Sequence, residues 1–152
     1  MLRTELNDAL KSAMKAKEEI AVSTLRLINA AIKDRDIASR TQGADEEGID
    51  DDEILRLLQS MIKQRRDSIE AYTKGGRTEL ADREAGEIEI IERFLPPQMD
   101  DDAVAEAIAG IIEETGATSL KEMGAVMGLL RERFAGQVDF GKASAVVKEK
   151  LG

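Results

Sequence analysis

EIEIIERFLPPQMDDD, residues 87–102, is the stretch that decides the architecture of this chain. Ile88, Ile91 and Leu95 recur at the spacing of one face of an α-helix. The two prolines that follow end that helix, because a proline ring cannot continue the hydrogen-bond ladder. The three aspartates after them can accept the free N–H groups of a new first turn. We therefore predict a boundary here between two domains, residues 1–97 and residues 98–152.

Four segments upstream of the prolines show helical periodicity. We predict these helices over about residues 2–15, over about residues 18–39, from an Asp50 or Asp51 cap to Gly75-Gly76, and from a Thr78 cap to the prolines. Leu80 is expected on the core face of the fourth helix. The segment from residue 41 to residue 52 contains glycines and a run of acids, and we predict a loop there.

Three shorter helical patterns follow the prolines: over about residues 100–115, over about residues 119–134 with a Ser119 cap, and after Asp139. Gly124 and Gly128 lie four residues apart in the second pattern. They lack the Lys-Ser/Thr of a phosphate loop and follow no strand, so we attribute them to close helix packing. The predicted fold class is all-α: an N-terminal bundle of about four helices followed by a small three-helix C-terminal domain.

Neither cysteine nor histidine occurs in the chain. This excludes cysteine nucleophiles, histidine bases and Cys/His zinc sites, so we predict no cofactor and no metal. No apolar run approaches the ~18 residues of a membrane span. No charged segment followed by an apolar one, as in a signal peptide, opens the sequence. We therefore expect a cytoplasmic protein without a membrane partner.

The charge of the chain is unevenly distributed. A net charge of −9 disfavours general binding to nucleic acids, because phosphates are repelled at long range. Residues 41–60 carry seven acids against one base, whereas residues 61–83 carry six bases against four acids. Residues 120–152 also carry six bases against four acids. A local basic face is therefore compatible with an acidic protein.

Arg65 falls on the stripe of the third helix that should face the core, four residues after Met61. A buried guanidinium needs a carboxylate partner, and Glu87 in the fourth helix is the candidate. Two interpretations stay open. One is a structural ion pair between Arg65 and Glu87, and the other is recognition of a phosphate or of a partner.

A short basic run, Lys63-Gln64-Arg65-Arg66, surrounds this position. On a helix these side chains point in three directions, so the run by itself is not a flat patch. No aromatic residues are interleaved, which disfavours a platform for base stacking. A solvated face, balanced by Asp67 and Glu70, is the alternative to nucleic-acid contact.

Five segments stand out by their order and spacing along the chain: Leu25-Arg26-Leu27-Ile28, Lys63-Gln64-Arg65-Arg66-Asp67-Ser68, Glu87 with Phe94-Leu95-Pro96, Met123-Gly124-Ala125-Val126-Met127-Gly128, and Gly136-Gln137-Val138-Asp139. Together they resemble the YqeY family, from near residue 1 to residue 152. Ala125 stands where a lysine is common in that family, which weakens any claim that this position grips phosphate, and Phe94 stands where tyrosine often occurs.

The resemblance implies a link to the GatB/YqeY domain group. Residues 98–152 would then resemble the C-terminal tail of GatB, a subunit of the tRNA-dependent amidotransferase, where that region is associated with tRNA recognition. The family association is with carbon–nitrogen ligase activity that uses glutamine as amido-N-donor. This chain has no cysteine to hydrolyse glutamine and no nucleotide loop, so no autonomous active site is visible.

Our leading hypothesis is a stand-alone tRNA-recognition or RNA-binding accessory module, not catalytic by itself. The alternative is a helical protein–protein interaction adaptor, whose partner would be an amidotransferase or another protein and whose acidic segment suits a basic surface. An enzyme that acts on glutamine is the third hypothesis. The candidate RNA contacts are Lys63, Arg65, Arg66, Lys121, Arg131, Arg133 and Lys142.

Overall fold

The computed structural model describes residues 1–41 and 48–152, and within these ranges the chain is helical and has no strand. The predicted all-α fold class is confirmed. Part of the predicted loop after residue 41 lies outside the described residues. The helices are α1 Leu2–Ala16, α2 Glu19–Thr41, α3 Asp51–Lys74, α4 Thr78–Glu92, α5 Asp101–Thr115, α6 Met123–Arg133 and α7 Phe140–Leu151, with a 3-10 turn at Leu120–Glu122.

Two compact units divide the chain, Met1–Leu95 and Pro96–Gly152. Each has its own core of aliphatic side chains. The division falls at the bond into the proline pair, where the fourth helix has already ended. The two units are described separately below.

In the N-terminal unit, α4 packs most extensively on α3 and also contacts α2, while α1 packs on α2. Leu6, Ile28 and Ile91 come from α1, α2 and α4 and are completely buried together with Ile54 and Leu58 of α3. Complete burial of one such side chain contributes about 1.5–3 kcal/mol. The helical spacing of these residues therefore explains both the helices and their packing.

The C-terminal unit begins directly with the prolines. The Gln98 side-chain amide donates to the Gly136 carbonyl at 2.6 Å, and the Met99 N–H donates to the Gln137 carbonyl at 3.0 Å. These bonds tie the segment after the prolines to the loop between α6 and α7. Its core is formed by side chains of α5, α6 and α7, chiefly Ile108, Ile111, Val126, Leu130 and Val147.

Aspartates open three of the helices. The carboxylate of Asp50 accepts from the Glu53 N–H at 2.9 Å, and that of Asp100 accepts from the Ala103 N–H at 2.7 Å. Asp139 accepts from the second and third residues of α7. Each cap satisfies N–H groups that a first helical turn leaves free.

The predicted Thr78 cap is wrong. Thr78 is the first residue of α4, and Arg77 holds the cap position without a side-chain hydrogen bond to the helix. The Arg77 N–H donates to the Tyr72 carbonyl at 2.8 Å, and Gly76 adopts a φ of 71°. Because of this tight turn after α3, α4 begins at Thr78, one residue earlier than predicted.

Two packing predictions are also wrong. Leu80 is 38% exposed, because Ala81 is the residue in the first turn of α4 that reaches the core. Gly124 and Gly128 are exposed, and a Cβ added to either would meet nothing within 4 Å. The core face of α6 is instead formed by Val126, Met127 and Leu130, so these glycines do not serve close helix packing.

Among the helices of the described ranges, none combines the length and the apolar character needed to cross a membrane.

Candidate functional site

The Arg65 and Glu87 side chains meet between α3 and α4. The Arg65 Nε donates to the Glu87 Oε2 at 2.8 Å, and Nη1 of the same guanidinium donates to the Met61 carbonyl at 3.1 Å. Only 12% of the Arg65 side chain and 11% of the Glu87 side chain are exposed. The pair therefore links the two helices in a largely water-free position, where removal of one charge is costly.

Two further charges surround this pair. The Glu84 Oε2 lies 4.0 Å from the Arg65 Nε, and the Arg83 Nε lies 3.7 Å from the Glu87 Oε1. Burial raises the pKa of Glu84 above its ordinary value, and the neighbouring Glu87 carboxylate adds to that shift. One guanidinium is thus shared between two carboxylates, while the mostly exposed Arg83 can approach from the solvent side.

A groove of about 730 Å³ lies beside the pair, between the first half of α2 and α4. Its volume falls within the range of small-molecule pockets, roughly 300–1,000 Å³. Glu87 is common to the groove and to the buried ion pair. The lining residues are Lys17, Glu19, Val22, Ser23, Arg26, Leu27, Arg83 and Glu87.

Two smaller depressions, of about 520 and about 540 Å³, share Glu19 with the groove, and both are also lined by Ile20. Ile20 is 46% exposed and Leu27 is 49% exposed, and Ile37, farther along the same helix, is 51% exposed. Lys17 and Arg26 have no carboxylate within ion-pair distance among residues 1–41 and 48–152. The groove lining thus combines Val22 and Leu27 with charged side chains of both signs, the carboxylates of Glu19 and Glu87 among them.

In the C-terminal unit, the candidate contacts Lys121, Arg131 and Lys142 are exposed. The Arg131 guanidinium carbon lies 5.8 Å from the centroid of the Phe140 ring, within the range of a cation–π contact. This contact links the end of α6 to the start of α7, where Lys142 lies in the first turn. None of the three has a carboxylate partner in the described parts of the chain.

Exposed small residues occupy α6 between two of these cations. Gly124, Ala125, Gly128 and Arg131 lie in α6 at spacings that share one side of the helix, and Lys121 lies in the 3-10 turn that precedes it. With no Cβ on the glycines, the backbone of α6 is open to close approach. We call Lys121, Gly124, Ala125, Gly128 and Arg131 the α6 strip.

The other candidate RNA contacts differ in whether a carboxylate already binds them. Arg133 donates two hydrogen bonds to Glu114, at 2.7 and 2.8 Å, and this pair is exposed. The pair holds the pKa of Glu114 below its ordinary value, chiefly through the side-chain hydrogen bond. Arg66 lies 3.7 Å from Glu92 at an exposed position, and Lys63 is exposed on α3.

A further cluster was not among the predicted site residues. The Arg3 guanidinium donates two hydrogen bonds to the Asp36 carboxylate, at 3.0 and 2.7 Å, and one to the Ile49 carbonyl at 2.9 Å. Asp36 in turn accepts from the Ile49 N–H at 2.9 Å. Gly48, at a φ of 85°, lies so close that an added Cβ would be 2.4 Å from the Asp36 Oδ1. The isolated glycine in the acidic segment was the only sequence signal for this clamp.

No group of three or more Asp or Glu side chains in residues 1–41 and 48–152 is arranged to hold a metal ion.

These features define a class: an all-helical protein of two units, with a buried ion pair and groove in one and exposed basic residues in the other. The model of the YqeY family, described as Yqey-like protein, matches residues 3–151. The chain belongs to the YqeY family, and the predicted family is confirmed.

Several curated relatives are fungal proteins named "altered inheritance of mitochondria protein 41, mitochondrial". The one from Lachancea thermotolerans is 38% identical over 90 residues, which cover 59% of this chain and 46% of the relative. The one from Saccharomyces cerevisiae strain S288c is 34% identical over 90 residues, with the same coverage. The one from Vanderwaltozyma polyspora is 29% identical over 124 residues, 78% of this chain and 64% of the relative. In the first two matches, the aligned part spans just under half of the relative.

The prediction of a cytoplasmic protein is contradicted by these relatives, whose names place them in mitochondria. The prediction rested on missing features, namely cysteines, a signal peptide and a membrane span. A chain without cysteines is compatible with any redox environment, so its composition does not select the cytosol.

Proposed function

We propose that this protein is an RNA-binding accessory module that recognises tRNA and is not catalytic by itself. The observation that carries the proposal is the exposed basic surface of the C-terminal unit, formed by the α6 strip and Lys142. The resemblance of this part of the chain to the GatB tail also supports the proposal, because that tail is associated with tRNA recognition.

The side chains of this surface suit contact with a phosphate backbone. Arg131 lies on the glycine-containing face of α6, and Lys121 lies in the 3-10 turn just before the helix, so both cations are close in sequence to the point where a phosphate backbone could approach α6. The Phe140 ring beneath Arg131 orders the guanidinium while leaving it exposed. Contacts of this kind position an RNA and carry little base specificity.

Within this proposal, the seven candidate residues do not contribute equally. Arg65 is buried and bound to Glu87, so its role is to hold α3 and α4 together. Arg133 must exchange Glu114 for a phosphate before it can bind RNA. Lys121, Arg131 and Lys142 need no such exchange, and Lys63 and Arg66 are exposed candidates in the other unit.

The test is binding of the full chain to bulk tRNA and to an unrelated RNA duplex across a salt series. We expect tRNA to bind more tightly than the duplex and binding to weaken as salt rises. The triple variant Lys121→Ala, Arg131→Ala, Lys142→Ala should lose affinity. The slope of log affinity against log salt should become shallower by about 0.7–0.9 for each phosphate that the variant no longer neutralises.

The control is Lys148→Ala with Lys150→Ala, which removes two exposed cations in the last turn of α7 rather than three. It should retain most of the affinity and the slope. Equal losses of affinity per charge removed in the two variants would show that only the net charge matters, and would contradict recognition by this surface. Absence of tRNA binding at low salt would refute the proposed function.

A further inference from the structure

The Arg131 guanidinium lies between the Phe140 ring and the solvent. Its central carbon is 5.8 Å from the ring centroid, within the range of a cation–π contact, and Arg131 as a whole is exposed. Across residues 1–41 and 48–152, neither a hydrogen bond nor an ion pair holds this guanidinium. Its side toward the ring is therefore covered, whereas its other side and its N–H donors are available to a ligand.

We propose that the Arg131–Phe140 pair is a base-binding site, at which an unpaired nucleobase of tRNA stacks on the open side of the guanidinium. The inference rests on the proposed function and deepens it, because it names the part of the RNA that this surface binds.

The chain holds both members of the pair in place before a ligand arrives. Phe140 is the first residue of α7, and its partly buried side chain packs against the core of the C-terminal unit. The Asp139 carboxylate caps the same helix, accepting from the Gly141 N–H at 3.0 Å and from the Lys142 N–H at 3.3 Å. Arg131 lies in the last turn of α6. Because the ring is fixed, it restricts the guanidinium, and a stacking ligand loses less affinity to the ordering of a side chain.

The chemistry of an arginine held in this way favours a base together with its phosphate. A guanidinium is planar and weakly hydrated, so it stacks on flat π systems and also binds phosphates through its N–H donors. Proteins that recognise RNA stack unpaired bases on such planes. A base on the open side of Arg131 would leave the N–H donors free to bind a phosphate of the same strand.

The other cations of the C-terminal unit do not offer this combination. Within residues 96–152, all of which the structure describes, the second arginine is Arg133. It donates two hydrogen bonds to Glu114, and the ring contact belongs to Arg131 instead. Lysine ammonium groups, such as that of Lys142, are point charges that bind phosphates but have no plane on which a base can stack. The stacking role therefore falls to Arg131.

Such a site selects bases by whether they are paired. Inside an A-form duplex each base is covered on both faces by its neighbours, and side chains cannot read the narrow major groove. Unpaired bases in loops, bulges and ends can expose a face at a smaller cost. A tRNA has several loops, whereas a plain duplex has only its terminal pairs. The base site therefore gives a physical reason for tRNA to bind more tightly than a duplex with a similar backbone.

The test compares bulk tRNA with inorganic polyphosphate, a ligand that has phosphates but no bases. Each is titrated into the full chain and into its Arg131→Lys variant across a salt series. Lysine keeps the charge but cannot stack. We expect Arg131→Lys to weaken tRNA binding about five-fold, the low end of the effect of one stacked base, at every salt concentration. The salt slope and the affinity for polyphosphate should not change.

Two further variants sharpen the comparison. Phe140→Leu keeps an apolar side chain against the core but removes the ring, so it should weaken tRNA binding and leave polyphosphate binding unaltered. The matched control, Arg133→Lys, makes the same exchange of arginine for lysine at the position bound to Glu114, and it should leave the tRNA affinity unchanged. Helical circular dichroism shows whether each variant has folded.

A direct signature comes from the unaltered chain and needs no variant to fold. The Arg131 Nε–H signal in ¹⁵N spectra is assigned by its absence from the spectrum of Arg131→Lys. We expect it to move upfield when tRNA is added, because the ring current of a stacked base shields it. Polyphosphate should not cause an upfield shift.

Four results would overturn the base site. Arg131→Lys could bind tRNA as tightly as the unaltered chain. It could lose affinity equally for tRNA and for polyphosphate, which would make Arg131 a phosphate contact only. Arg133→Lys could lose as much tRNA affinity as Arg131→Lys, or the Nε–H signal could fail to move upfield with tRNA. In each case salt-dependent tRNA binding persists and the proposed function stands. Absence of tRNA binding by the unaltered chain at low salt would instead refute the proposed function, and the base site with it.

Discussion

Each unit contains a helix-to-helix ion pair of nearly the same length, but the two pairs differ in their surroundings. Arg65 and Glu87 meet at 2.8 Å with 12% and 11% of their side chains exposed. Arg133 and Glu114 meet at 2.7 Å with 42% and 55% exposed. Distance does not separate a structural pair from an exchangeable one, whereas burial does. A buried guanidinium cannot release its carboxylate without a large desolvation cost, while water can replace either partner of the exposed pair.

The largest expected effect is that of Arg65→Met. It removes the main partner of a buried carboxylate, and we expect the N-terminal unit to lose about 3 kcal/mol of unfolding free energy. Arg83 lies 3.7 Å from Glu87 and can compensate in part. Urea unfolding, followed by amide signals of each unit separately, measures this loss, and signals of the C-terminal unit serve as the internal reference.

The double variant Arg65→Met with Glu87→Leu is the control for this prediction. It leaves no unpaired charge, so it should recover most of the lost stability. If the double variant is as unstable as the single one, the loss comes from packing, and the burial argument fails for this pair.

Gly48→Ala should have the next largest effect. An alanine there would need a φ of 85° and would place its Cβ 2.4 Å from the Asp36 Oδ1. We expect a loss of about 2–3 kcal/mol, from backbone strain together with displacement of the Arg3–Asp36 clamp. Gly76→Ala is the matched control, because its φ of 71° is similar and its Cβ would meet nothing within 4 Å. It should cost only about 1 kcal/mol, and thermal unfolding compares the two. Equal losses of stability in the two variants would mean that the Arg3–Asp36 clamp does not stabilise the fold.

The Arg3–Asp36 pair is intermediate in burial, with 31% and 16% of the side chains exposed. The hydrogen bond from Arg3 holds the pKa of Asp36 below its ordinary value of 3.8. A depressed pKa means that the folded state favours the charged carboxylate. Its stabilisation is therefore fully present above that ordinary value and is lost as pH falls through the lower folded value.

Asp36→Asn should accordingly lose about 1–2 kcal/mol at neutral pH, as expected for a hydrogen bond to a charged group. Urea titrations at several pH values measure the difference in unfolding free energy between this variant and the unaltered chain. That difference should become smaller as the pH falls below the ordinary pKa. A gap that stays constant with pH would show that the ionised carboxylate is not what stabilises the clamp.

The sequence predicted much of this organisation, because helix periodicity and the proline pair are local signals. It also indicated Glu87 as the candidate partner for Arg65, since a guanidinium on a core-facing stripe requires a nearby acid. It did not predict the exposure of Leu80, because the tertiary packing of α4 determines which residue of its first turn is buried. Glycine spacing alone did not show whether α6 packs through Gly124 and Gly128 or leaves them open. The groove depends on which faces of α2 and α4 meet, and that is a tertiary property.

The smallest effect on stability should come from Glu114→Gln in the exposed pair. Unfolding of the C-terminal unit should change by no more than the error of the measurement, because both partners are already hydrated. The same change frees Arg133 and removes one negative charge close to the α6 strip. We therefore expect tRNA to bind more tightly and the salt slope to steepen by up to about 0.9, the value for one additional neutralised phosphate.

The comparison variant is Glu87→Gln, which should destabilise the N-terminal unit and leave the salt slope unchanged. If Glu114→Gln destabilises its unit and leaves RNA binding unaltered, the exposed pair is structural after all, and burial is not what distinguishes the two pairs.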